Sequence, residues 1–328
     1  MKALVVGLGS IGRRHARNWV RLGLGEVLVC RQTDRSLPEP LGVPAREFRV
    51  LDEALAEQPD VVLVTNPTSL HLATARRALQ AGSHLLVEKP ISHTLDGTAA
   101  LLHSERVVMV GYNLRFHPGL LRARELLHAG AIGKPLSLRA EIGEYLPDWH
   151  PWEDHRQSYA ARRDQGGGPI LTFSHELDSV YWLLGMPHAV TAVTTHASAL
   201  EIDTEDTAEI VLSYASGAIA SIHTDYVRRP ARRFVEVVGE EGVVRWEFET
   251  NRLLRYAPGT REWITEEGDP RFARNDMFAA ELCEFAARVR GETDAGIGAD
   301  AHQGIDVLKI ALAAQHSAVE GRTIAPND

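Results

Sequence analysis

The chain changes its hydrophobic rhythm once, near residue 118. Before that point short unbroken apolar runs recur, in Lys2-Ala-Leu-Val-Val6, Glu26-Val-Leu-Val-Cys30, Asp60-Val-Val-Leu-Val64, Leu85–Val87 and Val107–Val110. Runs this short and this apolar predict strands buried on both faces, as in a parallel sheet covered by helices. Helix-permissive stretches separate them: 13–22, 51–57, a segment running from Thr68 as N-cap to residue 80, and 94–103. Segment 36–50 carries Pro38, Pro40, Gly42 and Pro44 and predicts a loop with at most a short extra strand.

Beyond residue 118 the period becomes two. A helical stretch from 119 to 129 stops at Gly130-Ala-Ile-Gly133, and Pro135 to Ile142 then alternates apolar and polar residues. Further alternating segments are 190–195, 207–214, 218–226, 234–238, 243–248 and 253–256, with Ser216-Gly217 and Glu241-Gly242 as turn signals. They predict a meander of antiparallel strands with one open face. Helices are expected over 168–184, 272–289 and 302–319. The reading is an α/β domain with a parallel sheet over 1–118 and an α+β domain with a large, open, mainly antiparallel sheet over 119–328.

Composition narrows the function. The formal net charge of −9 argues against a general nucleic-acid or membrane partner. No apolar run approaches the roughly 20 residues of a membrane helix. The start, Met1-Lys2-Ala3, runs directly into a strand-like segment without a signal peptide. Two cysteines, Cys30 and Cys283, suit a reduced, cytoplasmic protein better than a disulfide framework. No metal site is expected.

Three motifs carry chemistry in the first part. Gly7-Leu-Gly9-Ser10-Ile11-Gly12 lies between a strand and a helix, the context in which GxGxxG binds a dinucleotide. Gly7 permits the turn, Gly9 lets backbone approach a pyrophosphate, Gly12 lets helix and strand pack, and the helix N-terminus offers N–H groups to phosphate. At the second strand's end, where an NAD site commonly holds a carboxylate for the ribose 2′-hydroxyl, stands Arg31, so NADP is slightly preferred over NAD, although Asp34 is placed to serve the ribose instead. Thr65, Asn66 and Pro67 follow the third buried run and are expected to line the cofactor with His71. Glu88 and Lys89 follow the next and are expected to border the cofactor as well. Lys89 at a strand's carboxyl end is predicted to project where cofactor and substrate meet. Tyr112 and Arg115, just past the strand at 107–110, are candidate substrate contacts.

The second part adds a loop, 145–165, in which Trp149, His150, Trp152, Asp154, His155, Arg156 and Tyr159 are interleaved. Such a mixture suits a sugar, whose ring face stacks while its hydroxyls hydrogen-bond. Trp152 and Tyr159 are the candidates there; an aromatic plug over the sheet, or an oligomer contact, is the competing reading. The triplet Gly166-Gly167-Gly168 opens the helix that carries Thr172, His175 and Asp178, spaced to share a face. His175 has the intrinsic pKa for proton exchange near neutrality.

Together the glycine turn, Thr65-Asn66-Pro67…His71, Glu88-Lys89-Pro90 and Gly166…His175-Glu-Leu-Asp178 resemble the glucose–fructose oxidoreductase/inositol dehydrogenase (Gfo/Idh/MocA) family. That resemblance implies a Rossmann domain followed by an open-sheet domain through which members pair as dimers or tetramers. It implies NAD(P)-dependent hydride transfer at a secondary alcohol or ketone of a sugar, inositol or sugar derivative. It further implies a cis Lys89–Pro90 bond and a catalytic pair, Lys89 holding the substrate oxygen and His175 moving its proton. Many family dehydrogenases carry Asp where Thr172 stands, so the histidine's partner and the reaction direction stay open. A redox-neutral NAD-dependent glycosidase and a non-catalytic dinucleotide-binding regulator are the alternatives.

Overall fold

A computed structural model describes residues 1–31, 39–294 and 296–327. The chain divides into two compact units, Met1–Phe116 with Ala273–Ile305, and His117–Phe272 with Asp306–Asp328. The expected boundary at 118 made no provision for the return of segment 273–305 to the first unit.

The first unit alternates β1 (Lys2–Val6), α1 (Ser10–Arg21), β2 (Glu26–Cys30), β3 (Arg46–Phe48), α2 (Leu51–Ala56), β4 (Val61–Val64), α3 (His71–Gln80), β5 (His84–Val87), α4 (Ala99–Leu102) and β6 (Val108–Val110). In the second unit come α5 (Pro118–His128), β7 (Pro135–Gly143), the short α6 (Pro169–Thr172) and α7 (Ser174–Leu184). Strands β8 (Ala189–Thr195), β9 (Thr207–Ser213), β10 (Ile219–Asp225), β11 (Arg232–Gly239), β12 (Gly242–Glu247), β13 (Arg252–Ala257) and β14 (Glu262–Glu267) follow. Helix α8 (Arg274–Val289), the two-residue β15 (Ala299–Asp300) and α9 (Ala301–Glu320) complete the chain.

Among the described residues the first sheet runs β15-β6-β5-β4-β1-β2-β3. Its strands are parallel except β15, which pairs antiparallel with β6. All four residues of β4 are buried, as are Leu85, Leu86 and Val87 of β5. The apolar runs are continuous because helices cover both faces. Leu282, Phe285 and Ala286 of α8 join Ala3, Val5, Trp19, Val61 and Leu63 in this core.

The second sheet runs β14-β13-β12-β11-β7-β10-β9-β8. It is antiparallel except where β7 and β10 run parallel, Ile219 opposite Ser137. Helix α7 lies against β7 and β10. Ala220, Ile222 and Thr224 of β10 are buried, whereas Ile219 is half exposed. The alternation follows from a pleat covered on one side.

Three expectations need correction. Helix is limited to 99–102 in the stretch 94–103, because Gly97 takes φ +80°, outside helical geometry. Thr68 does not cap α3: it opens a separate 3₁₀ turn, Thr68–Leu70, and no side chain caps the helix at Leu70. The helix expected over 168–184 is broken at Phe173 (φ −96°, ψ 32°) into α6 and α7. Thr172 therefore ends one helical turn while His175 and Asp178 lie one turn apart on the next helix.

Candidate functional site

The glycine turn joins β1 to α1. Gly7 has φ +98°, and a Cβ there would meet the Asn66 backbone nitrogen at 2.7 Å and the Thr65 carbonyl oxygen at 2.8 Å. Gly12 is fixed by packing too, since a Cβ would collide with the Gly7 carbonyl. Gly9 differs. It is exposed, its φ is −64°, and nothing lies within 4 Å of where a Cβ would stand. The chain itself therefore has no need of glycine at 9, whereas a phosphate laid against the backbone does. Helix α1 begins at Ser10 without a side-chain cap, which leaves its first N–H groups, at Ser10 and Ile11, for such an anion. These residues fit a dinucleotide.

The neighbouring strand ends close around this turn. The Gly7 N–H donates to Cys30 O at 2.9 Å, and the Thr65 N–H donates to Val6 O at 2.9 Å. The Thr65 hydroxyl lies 2.7 Å from Gly7 O and 3.0 Å from Val6 O. Asn66 donates from Nδ2 to Thr74 Oγ1 at 2.9 Å, leaving its buried Oδ1 with no partner among the described residues. Pro67 leads into the turn at Thr68–Leu70. His71 is buried with Nδ1 2.9 Å from Pro90 O and Nε2 2.8 Å from Asn66 O. Burial pushes its pKa down, against the pull of the two carbonyls. His71 thereby ties the ends of β4 and β5 together.

Lys89 is half-buried immediately past β5, and its bond to Pro90 is cis. Glu88 before it is buried and accepts from His15 Nε2 at 2.8 Å. The Lys89 backbone N–H reaches the other Glu88 oxygen at 3.3 Å, and Gly111 closes the space beside the carboxylate. Burial alone would raise the Glu88 pKa; the His15 hydrogen bond and the charges of His15 and Lys89 override it and hold the group ionised. His15 was not singled out from the sequence, although it stands one turn after Gly12 on α1. The His15–Glu88 contact links the helix of the glycine turn to the strand end that presents Lys89.

Arg31 lies at the end of β2 as expected, but its guanidinium is engaged. Its Nε donates to Glu47 Oε1 at 2.8 Å, and Arg49 reaches the same oxygen at 3.0 Å. This weakens the argument for NADP, which assumed an arginine turned to a 2′-phosphate. Asp34 lies outside the described residues. Tyr112 and Arg115 are fully buried, and Arg115 donates to Gln303 Oε1 at 2.6 Å and Ile297 O at 3.3 Å. Burial sets Arg115 to hold segment 273–305 in the first unit.

In the second unit, Asp178 is buried and His175 half-buried on α7. The Tyr226 hydroxyl, beside Thr172, donates to Ala160 O at 3.2 Å. Tyr226 follows the end of β10, and burial pushes its pKa up. No sequence signal marked it beyond its place at a strand end. Its ring packs edge-on against Trp149 and Phe173, with centroids 5.6 and 5.5 Å away. The inward tryptophan of the 145–165 loop is thus Trp149, the plug reading for that residue. Trp152 is 58% exposed beside His150, and Tyr159 packs on the cluster of Ile142, Phe173 and Tyr226. Glu176, next to His175, is buried against Arg233 at 2.7 Å; burial still raises its pKa.

Two family models match the chain. Residues 1–116 match an oxidoreductase family with an NAD-binding Rossmann fold, and residues 120–245 match the GFO/IDH/MocA C-terminal domain. The chain belongs to the Gfo/Idh/MocA oxidoreductase family. It is an NAD(P)-dependent oxidoreductase, as the sequence motifs led one to expect. The UDP-N-acetylglucosamine 3-dehydrogenase of Acidithiobacillus ferrooxidans is 28% identical over 302 residues, covering 87% of each chain. The inositol 2-dehydrogenase/D-chiro-inositol 3-dehydrogenase of Lacticaseibacillus casei is 24% identical over 347 residues, covering 100% of this chain and 95% of its own. Among solved structures, a levoglucosan dehydrogenase in complex with NADH and levoglucosan matches with a TM-score of 0.87 at 19% identity, over the whole of both chains. Among the described residues no helix is long and apolar enough to cross a membrane, and no group of three or more His, Cys, Asp or Glu side chains is placed to hold a metal ion.

Proposed function

We infer that this family member is a cytoplasmic dehydrogenase or reductase acting on a secondary alcohol or ketone of a sugar, polyol or sugar derivative. The observation that carries the reading is Gly9, whose side-chain space is open and whose lack of a Cβ suits the close approach of a pyrophosphate at the start of α1. The named substrates of similar proteins, an amino-sugar nucleotide, an inositol and an anhydrosugar, all carry secondary hydroxyls on a six-membered ring and support the substrate class.

Gly7, Gly9, Ser10, Ile11 and Gly12 hold the pyrophosphate, and Thr65, Asn66, Pro67 and His71 border the cofactor on the β4 side. The cofactor, when bound, accepts or supplies the hydride. Lys89 donates a hydrogen bond to the substrate oxygen, and its direction is set by the His15–Glu88 contact behind it. His175 takes the hydroxyl proton on oxidation and returns it on reduction. Thr172, beside Tyr226, stands where many relatives carry a carboxylate, and a hydroxyl there orients the imidazole by hydrogen bonding without stabilising its charged form as a carboxylate does. Asp178 and the aromatic loop border the substrate. The exposed apolar side chains Val193, Val211 and Ile219 on the open sheet support self-association through that face.

The test is spectrophotometric: a panel of sugars and polyols with NAD⁺ or NADH, and their phosphorylated counterparts, followed at 340 nm. Turnover of at least one substrate is expected, with Lys89→Met slower by about a thousandfold. Full activity of Lys89→Met on that substrate defeats the assignment.

A further inference from the structure

We propose that Glu47, on β3, sets the nucleotide preference of this enzyme toward NAD by holding the guanidinium of Arg31. The proposal rests on the dinucleotide reading of the glycine turn. Strands β2 and β3 are parallel, with Val29 opposite Glu47 and Cys30 opposite Phe48. The ladder continues past β2, since the Arg31 N–H donates to Phe48 O at 3.1 Å. Arg31 thus leaves the sheet beside the strand end whose Cys30 carbonyl receives the Gly7 N–H. In this class of sheet that is the place where the adenosine ribose is read.

From there the side chain turns back along β3. Its Nε donates to Glu47 Oε1 at 2.8 Å, and the side chain is only 16% exposed. Arg49 reaches the same Oε1 at 3.0 Å. Glu47 offsets one positive charge of the two guanidiniums that reach it. A ribose 2′-phosphate carries close to two negative charges and prefers the in-plane edges of a guanidinium. Here the Nε edge of Arg31 is already turned to a carboxylate, and that carboxylate repels the incoming phosphate. A 2′-hydroxyl meets no such repulsion. An arginine at this position ordinarily marks NADP; in this chain its partner one strand away opposes that preference. Glu47 acts through Arg31, so it is a positioning residue.

The experiment is calorimetric titration of the full-length protein with NADP⁺ and, separately, NAD⁺, at low ionic strength where the charge effect is least screened. Wild type is expected to bind NAD⁺ more tightly. Glu47→Gln keeps the side chain's size and is expected to tighten NADP⁺ binding by about tenfold while NAD⁺ changes by no more than about twofold. The double variant Arg31→Ala/Glu47→Gln is expected to lose that gain, and far-UV circular dichroism checks that each variant is folded. Unchanged NADP⁺ affinity in folded Glu47→Gln overturns the proposal. So does the same gain in the double variant, or a wild type that already prefers NADP⁺. If wild type binds neither nucleotide, the dinucleotide reading itself falls and this proposal with it.

Discussion

The two sheets of this protein solve different problems with the same backbone. In the first, successive residues of β4 and β5 are buried without regard to parity, because helices lie on both faces. Nothing polar fits on those faces, so the candidate site residues gather where strands stop: Gly7 after β1, Arg31 after β2, Thr65 after β4, Lys89 after β5. In the second sheet each strand has an inside and an outside. The candidate residues there lie on the helix against the covered face, with Tyr226 just past a strand beside them. Position along a strand marks the candidate residues in one sheet; parity decides environment in the other.

The contrast is broken most directly by introducing charge. In β4, Val62→Asp and Leu63→Asp are neighbours of opposite parity, and both are expected to cost roughly 4 kcal/mol or more, since each buries an unpaired carboxylate. In β10, Ile222→Asp is expected to cost as much, whereas Ile219→Asp, whose position is 51% exposed, stays within about 0.5 kcal/mol. Urea unfolding of the four variants reads this difference. Equal losses at Ile219 and Ile222 would mean that the sheet's outer face is covered within the monomer.

A second, smaller contrast concerns two histidines on opposite faces of the second sheet. His117 is buried beside Trp246 and Phe272, and its Nδ1 accepts from Trp246 Nε1 at 3.1 Å and from the Gly119 N–H at 3.1 Å. Burial, with the Arg233 charge, brings its pKa down from 6.5 to about 4. The folded state therefore prefers neutral His117. Its contribution is complete above about pH 6.5 and is lost as pH falls through about 4, amounting to about 3 kcal/mol at most. The drop in unfolding free energy across this window is expected to be shallower in His117→Phe.

His223, on β10, has the reverse setting. Its ring nitrogens lie 2.9 Å from Asp225 Oδ2 and 2.7 Å from Glu209 Oε1, and the two carboxylates raise its pKa to about 9. This stabilisation is present below about pH 6.5 and disappears as pH rises through about 9. The site is partly exposed, so the effect is expected to be about 0.5–1 kcal/mol and weaker in salt. Melting temperatures of wild type and Glu209→Gln between pH 6 and 10 measure it.

The sequence was most legible where one chain segment carries its own signal. Continuous apolar runs marked β1, β2, β4, β5 and β6, and alternation marked β7 to β13. Strand β14, Glu262–Glu267, escaped because it is an edge strand with no fully buried position to set a phase. Strand β15 is two residues long and has no pattern at all. The candidate site was legible in the same uneven way. Glycine spacing and the strand-end residues stood out, yet the side chains that aim them did not. His15 behind Glu88 and Glu47 against Arg31 each come from another element, and no local periodicity reports such a partnership.

The late return of residues 273–305 also constrains how this protein is made. Phe285 and Leu282 fill the middle of the nucleotide-binding unit although nine-tenths of its sheet has been synthesised long before them. A nascent chain emerging from the ribosome must keep those early strands waiting, their apolar faces unsealed, until almost the last helix arrives. A fragment truncated after residue 116 inherits the same open seam permanently.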